Sequence, residues 1–207
     1  MIQTFTNKDT FINTAILFIR DYAGQHVALS GGNTPKPIYE GLALEWEDSE
    51  KMVYQVDERY VPATHAASNQ KMIQQTLAPL KKRYINTSLP IKEAIKDYQK
   101  GLPPFDLTVL GVGTDGHIGS LFPNTPELSE KKDFVIHTTT DVYEIKDRIT
   151  LSLPAIRRSK RILILLQGKE KKSVVKEILS GDKTIKDFPV KALLDHPGLT
   201  IYYYKGE

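Results

Sequence analysis

The chain has 207 residues, of which 40% are hydrophobic and 26% are charged, and its formal net charge is +3. This length and composition are typical of a globular protein with a sizeable core, and we expect residues 1–207 to form one domain. The small net charge argues against a dedicated nucleic-acid-binding protein. The chain has no Cys, which excludes disulfides, thiolate catalysis and sulfur-bound zinc.

Neither a membrane span nor a secretory signal is visible in the sequence. The longest purely aliphatic run, residues 162–166, is far shorter than the roughly 20 residues that cross a bilayer. The first residues contain no basic segment followed by an apolar one. We therefore expect a cytoplasmic protein without a membrane partner.

Predicted helices alternate with predicted strands along the chain. Apolar residues at helical spacing predict helices at 10–23, 37–43, 91–100, 154–159 and 172–179, and one that Ser68 or Asn69 caps and that runs to Pro79. Apolar and β-branched runs predict strands at 26–29, 52–56, 85–89, 107–110, 134–138, 148–153, 161–167 and 199–204. The strand at 161–167 is so aliphatic that we expect burial on both faces, and the basic stretch 81–83 is interpreted as a solvated turn. This alternation predicts an α/β fold of three layers, in which a mostly parallel sheet carries helices on both faces.

Four polar loops follow predicted strands. They comprise residues 30–35, 57–59, 111–117 and 168–171. Ligands of parallel α/β sheets bind beyond the carboxyl ends of the strands. We therefore expect the four loops to converge on one site.

The loop at 111–117 carries the clearest candidate for chemistry. Gly111, Gly113 and Gly116 allow positive φ and the close approach of a ligand. Asp115 and His117 follow a buried strand two residues apart, which favours a His general base oriented by a carboxylate. The alternative is structural, because an Asp in a glycine turn often bonds its own backbone and a single His is often a surface residue.

The same glycines form a G-x-G-x-x-G pattern, but we reject dinucleotide binding. That motif requires a long helix after the third glycine. Here Gly119, Pro123 and Pro126 interrupt any such helix. No acidic residue stands at a strand end about 20 positions further on.

Three other segments suit a phosphate group. Residues Ser30, Gly31, Gly32, Asn33 and Thr34 lie between a strand and a helix, where backbone N–H groups and hydroxyls bind anions or simply cap the helix. If its loop reaches the site, Arg59 can bind phosphate in a bidentate manner; the alternative is a surface ion-pair cluster with Asp57 and Glu58. Lys171 is a possible second cation, although exposure is the default for one Lys among many.

Together these segments resemble the 6-phosphogluconolactonase family, within the larger group that includes glucosamine-6-phosphate deaminase. The matching stretches are LSGGNTP at 29–35, VDERYVPATHAASN at 56–69, FDLTVLGVGTDGHIGSLFP at 105–123, RITLSLP at 148–154 and G-x-x-K at 168–171. They occur in the family's order and span most of the chain.

The resemblance implies a modified Rossmann-like fold and hydrolysis of 6-phospho-D-glucono-1,5-lactone to 6-phosphogluconate in the pentose phosphate pathway, without a metal or organic cofactor. It implies that His117 activates water and that Asp115 orients it. Arg59 and Lys171 would hold the 6-phosphate beside the 30–34 loop, and Arg148 is a weaker candidate in the same pocket. The implied partner is a sugar phosphate, not nucleic acid, and we expect a monomer or a weak homo-oligomer.

Two alternatives stay open. In the sister deaminases a Glu stands five residues after the His, where this chain has Phe122, and a Tyr stands where this chain has Arg59. Asp57 nevertheless matches the carboxylate that acts as base in that branch, and it also counts among the expected substrate-binding residues. A non-catalytic sugar-phosphate sensor would be favoured by loss of Asp115 or His117, and both are present.

Overall fold

The structure is a computed structural model that describes residues 2–46, 50–78 and 80–206. Within these residues the chain forms ten strands: β1 (Ile2–Phe5), β2 (His26–Leu29), β3 (Met52–Gln55), β4 (Asp57–Arg59), β5 (Lys81–Arg83), β6 (Leu107–Gly111), β7 (Val135–Thr138), β8 (Arg148–Leu151), β9 (Arg161–Gln167) and β10 (Leu199–Tyr204). The same residues form six α-helices: α1 (Lys8–Tyr22), α2 (Lys36–Glu45), α3 (Asn69–Thr76), α4 (Ile91–Gln99), α5 (Leu153–Arg157) and α6 (Lys172–Ser180). None of these helices is long and apolar enough to cross a membrane.

Seven strands form a parallel sheet in the order β1-β10-β9-β6-β2-β3-β5. Successive side chains of a strand point to opposite faces of the sheet. In β9, Leu163 and Leu165 pack in a core that contains the buried residues of α1, α2 and α3. Ile162 and Ile164 pack on the other face, with buried residues of α4, α5 and α6. The predicted three-layer α/β fold, and the burial of β9 on both faces, are therefore confirmed.

A second, smaller sheet lies over one of these cores. It is antiparallel, in the order β4-β8-β7. Its buried residues Val135, Ile149 and Leu151 belong to the same core as α4, α5 and α6. The prediction of a loop at 57–59 is wrong, because those residues form the edge strand β4.

Three other element predictions differ from the structure, and one strand was not predicted. Residues 81–83 are not a turn but the edge strand β5, whose lysines and arginine suit an exposed edge. Residues 85–89 form no strand; Ile85 is buried and its N–H donates to the Gln55 side chain, so the apolar signal there reflects burial alone. The strand predicted at 148–153 ends at Leu151, because Ser152 caps α5. Strand β1 was not predicted, and Pro79, the predicted end of a helix, lies outside the described residues.

Candidate active site

All four predicted loops reach one cavity at the carboxyl edge of the parallel sheet. The cavity has a volume of about 290 Å³ and is lined by Ser30, Gly31, Asp57, Arg59, Asn69, Gly111, Val112, Gly113, Thr114, His117, Gly119, Tyr143 and Lys171. An adjoining cavity of about 160 Å³ shares several of these residues and adds Ser120, Phe122 and Arg148. The topology thus brings together side chains from both sheets.

The three glycines of the central loop differ in whether their positions require a glycine. Gly116 has φ +86°, and a Cβ there would collide with the Phe188 ring. A Cβ on Gly113 would collide with the His117 imidazole. A Cβ on Gly111 would meet nothing within 4 Å. Only Gly116 has the positive φ that was expected of all three.

This loop presents His117 and Asp115 as a hydrogen-bonded pair. His117 Nδ1 lies 2.6 Å from Asp115 Oδ1, and the His117 backbone N–H donates to the same oxygen at 3.2 Å. Partial burial opposes ionisation of Asp115, but the hydrogen bonds and charge of His117 outweigh it and hold the pKa of Asp115 below its ordinary value. An ionised Asp115 accepts a hydrogen bond from Nδ1–H of His117. Nε2 of the neutral imidazole then carries no hydrogen and can accept a proton.

Two aromatic rings flank the imidazole. The Phe122 ring lies 5.1 Å from it, and the Tyr143 ring lies 5.9 Å from it in an edge-on arrangement. Phe122 is buried and lines the second cavity. Phe122, which stands where a Glu is expected in the sister deaminases, therefore lies directly against His117.

Two arginines face each other across the small sheet. Arg59 of β4 and Arg148 of β8 are register partners, and both line the second cavity. Burial, followed by the charge of Arg59, lowers the pKa of Arg148. Among the described residues neither arginine forms an ion pair with a carboxylate within 4 Å. Like charges in this position repel each other, so the wall favours an anion.

The buried residue Asn69 holds Arg59 in place. Its Oδ1 accepts from Arg59 Nη1 at 2.8 Å, and its Nδ2 donates to the Asp57 carbonyl at 2.9 Å. Asp57 Oδ2 accepts from Ser120 Oγ at 2.7 Å. From the sequence Asn69 was expected only as a helix cap, and its place in the site was not predicted.

The 57–59 segment is not a surface ion-pair cluster. Glu58 is buried and accepts hydrogen bonds from the backbone N–H groups of Arg59, Asn69 and Gln70. Burial raises the pKa of Glu58, although these hydrogen bonds oppose the rise. Glu58 therefore ties the start of α3 to β4 and lines neither cavity.

The loop at 30–34 is only partly inside the main cavity. Ser30 and Gly31 line it, and Gly31 must be a glycine because a Cβ would collide with the Asn69 side chain. Gly32 and Asn33 line a neighbouring groove that also contains Arg59. Thr34 lines neither of the two cavities.

Lys171 enters the main cavity from the turn before α6. Within the described ranges it forms no ion pair. Those ranges also contain no group of three His, Asp or Glu side chains suited to a metal ion. The expectation that no cofactor is used stays a prediction.

Comparison with known proteins identifies the family. The family model described as glucosamine-6-phosphate isomerases/6-phosphogluconolactonase matches residues 7–202. A probable 6-phosphogluconolactonase of Dictyostelium discoideum is 33% identical, covering 95% of this chain and 94% of that one. A 6-phosphogluconolactonase of Synechocystis sp. is 35% identical, covering 80% of this chain and 75% of that one.

A solved structure agrees with these relatives. The crystal structure of 6-phosphogluconolactonase from Thermotoga maritima matches with a TM-score of 0.81 and 29% identity, covering 100% of both chains. The modified Rossmann-like fold that the sequence resemblance implied is thereby confirmed. The chain belongs to the glucosamine-6-phosphate isomerase/6-phosphogluconolactonase family, and within it to the 6-phosphogluconolactonases.

Proposed function

We propose that this chain is a carboxylic ester hydrolase that converts 6-phospho-D-glucono-1,5-lactone to 6-phosphogluconate, with His117 as the general base. The observation that carries the proposal is the 2.6 Å bond between His117 and Asp115, at adjoining cavities that are also lined by the three cations Arg59, Arg148 and Lys171. The relatives named as 6-phosphogluconolactonases support the reaction.

The phosphate of the substrate is held by the cationic part of the cavity. Arg59 supplies a planar guanidinium and Lys171 supplies a compact ammonium. Arg148 faces Arg59 and adds a third positive charge. The backbone N–H groups of Gly31 and Gly32 donate to no protein acceptor among the described residues, so they are available to the same anion.

Phosphate binding places the lactone carbonyl near His117. Nε2 takes a proton from water, and the hydroxide adds to C1. The bond between C1 and the ring oxygen then breaks, and that oxygen takes the proton back from the imidazolium. The product is the open-chain acid, which loses its proton to solvent. Asp115 stabilises the imidazolium during these steps.

The oxyanion formed at C1 needs hydrogen-bond donors. The amides of Gly111, Gly113 and Gly116 already donate to Ser30 Oγ, the His117 carbonyl and the Gly113 carbonyl. We therefore assign the donor role to groups outside these three amides.

Deamination of an amino sugar phosphate is the less favoured alternative. It requires Asp57 as a base and an acidic partner for the histidine. Here the Phe122 ring packs against His117 where that acidic residue would stand. Both Asp57 oxygens also have donors in reach, Ser120 Oγ at 2.7 Å and Asn69 Nδ2 at 3.3 Å.

Two parallel assays test the proposal. The first follows 6-phosphogluconate formation from freshly generated lactone, coupled to 6-phosphogluconate dehydrogenase and corrected for spontaneous hydrolysis. The second follows ammonia release from glucosamine 6-phosphate. We expect activity in the first assay alone. Ammonia release without lactone hydrolysis would overturn the proposed reaction.

A further inference from the structure

The loop between β7 and β8 is fixed at its base and exposed at its tip. His137 Nε2 lies 2.7 Å from Asp147 Oδ1, and the Thr140 N–H donates to the Lys146 carbonyl at 3.2 Å. The tip exposes Val142 to 78% and Tyr143 to 41%. An aromatic side chain is therefore held beside the active site on a short anchored loop.

Tyr143 contacts the catalytic end of the cavity through its ring. The ring lies 5.9 Å from the His117 ring at 77°, and 6.0 Å from the Phe122 ring. The Arg148 guanidinium carbon lies 5.7 Å from its centre. Tyr143 lines both cavities, whereas Val142 lines neither. The contacts are thus specific to one side chain of the loop.

These contacts influence the direction in which Nε2 of His117, the proton acceptor, points. The bond from Nδ1 to Asp115 fixes one atom of the imidazole. The plane of the ring, and with it the direction of Nε2, depends on what touches its faces and edges. Phe122 and Tyr143 supply those contacts at two different angles. The Tyr143 hydroxyl has no hydrogen-bond partner in the described part of the chain, so Tyr143 contacts His117 through its ring alone.

We propose that Tyr143 is a positioning residue for the reaction, whose ring sets the plane of the His117 imidazole. The role rests on the proposed function of His117 as a base. Without the ring, the imidazole samples orientations in which Nε2 does not meet the attacking water. Arg148 keeps its place, because its Nε remains bonded to the Ile145 carbonyl. In the described part of the chain neither Arg59 nor Lys171 forms a cation–π contact with the Tyr143 ring. The loss therefore falls on kcat and not on KM.

The test compares Tyr143→Ala, Tyr143→Phe and the matched control Val142→Ala, which removes the exposed neighbour on the same loop. We expect Tyr143→Ala to lower kcat by about three- to tenfold, the range for one lost aromatic pair, with KM within about twofold. Tyr143→Phe and Val142→Ala are expected to behave like the parent protein. Circular dichroism and thermal unfolding check that all variants fold.

A rise in KM with unchanged kcat, or an equal loss in Tyr143→Phe, would overturn the positioning role. Nitrogen-15 NMR of His117 supplies a readout that does not depend on turnover. We expect the His117 ring resonances to shift and broaden in Tyr143→Ala and to stay in place in Val142→Ala. If the parent protein lacks lactonase activity, the proposed function fails, while unchanged His117 resonances in Tyr143→Ala would separately refute the positioning role.

Discussion

Replacement of Arg59 by Ala tests the phosphate site most sharply. Arg59 Nη1 donates to the Ala67 carbonyl at 2.7 Å and to Asn69 Oδ1 at 2.8 Å, which uses both of its hydrogens. The other guanidinium nitrogens remain for an anion. One lost charge-assisted hydrogen bond costs about 1.5–3 kcal/mol, so KM is expected to rise by about 10- to 150-fold.

We expect kcat of Arg59→Ala to change much less than KM. The phosphate does not react, so its binding is the same in the ground state and in the transition state. Arg59→Lys keeps the charge but loses the planar fork, and its KM should lie between those of the parent and Arg59→Ala. Arg20→Ala removes an arginine that lines neither cavity and serves as the control.

The measurement is steady-state kinetics of lactone hydrolysis at low and moderate ionic strength, with thermal unfolding of each variant. Because the cations attract a charged group, KM of the parent should rise with salt more steeply than KM of Arg59→Ala. An unchanged KM in a folded Arg59→Ala protein would remove Arg59 from the phosphate site.

Two further perturbations follow from the central loop. Asp115→Asn removes a charge-assisted hydrogen bond to Nδ1 and should lower kcat by about 10- to 100-fold. The pKa of Asp115 is lower in the folded protein than in the unfolded chain. The ionised carboxylate therefore stabilises the fold at pH values above its unfolded-state pKa, and this stabilisation is lost as the pH falls through its folded-state pKa. In urea unfolding, the free energies of unfolding of the parent and of Asp115→Asn should therefore differ at neutral pH and become equal at acid pH. Equal free energies at both pH values would contradict this. Gly116→Ala places a side chain at positive φ and against Phe188, and it should lower the free energy of unfolding by about 1–3 kcal/mol or more. Gly111→Ala adds a Cβ where there is room, and it should change the free energy of unfolding by no more than about 0.5 kcal/mol. Equal urea midpoints for the two glycine variants would refute the difference.

The sequence predicted the parts of the site that are local. The β6 strand, its glycine turn and the pair of Asp115 and His117 are specified by residues within a few positions of one another. Strand alternation also predicted that residues 30–35, 57–59, 111–117 and 168–171 lie at one edge of the sheet. These features depend on periodicity and on the topology of parallel sheets, both of which are visible in a single sequence.

The parts of the site that could not be predicted from the sequence depend on contacts between residues far apart in the chain. β4 has only three residues and carries no period that reveals a strand. Its pairing with β8 places Arg59 opposite Arg148, and nothing near either arginine indicates that register. Tyr143 and Asn69 reach the cavity because a hairpin loop and a helix start fold over it. Their local sequence is equally typical of a surface loop and of a helix cap.

The central claim is that His117 is the base. The most direct measurement compares lactone hydrolysis and 6-phosphogluconate binding in the parent protein and in His117→Ala, with spontaneous hydrolysis subtracted. We predict that kcat of His117→Ala falls by about 10²–10⁴, the range for a lost general base, while calorimetry shows product binding close to that of the parent. Full activity in a folded His117→Ala protein would contradict the assignment.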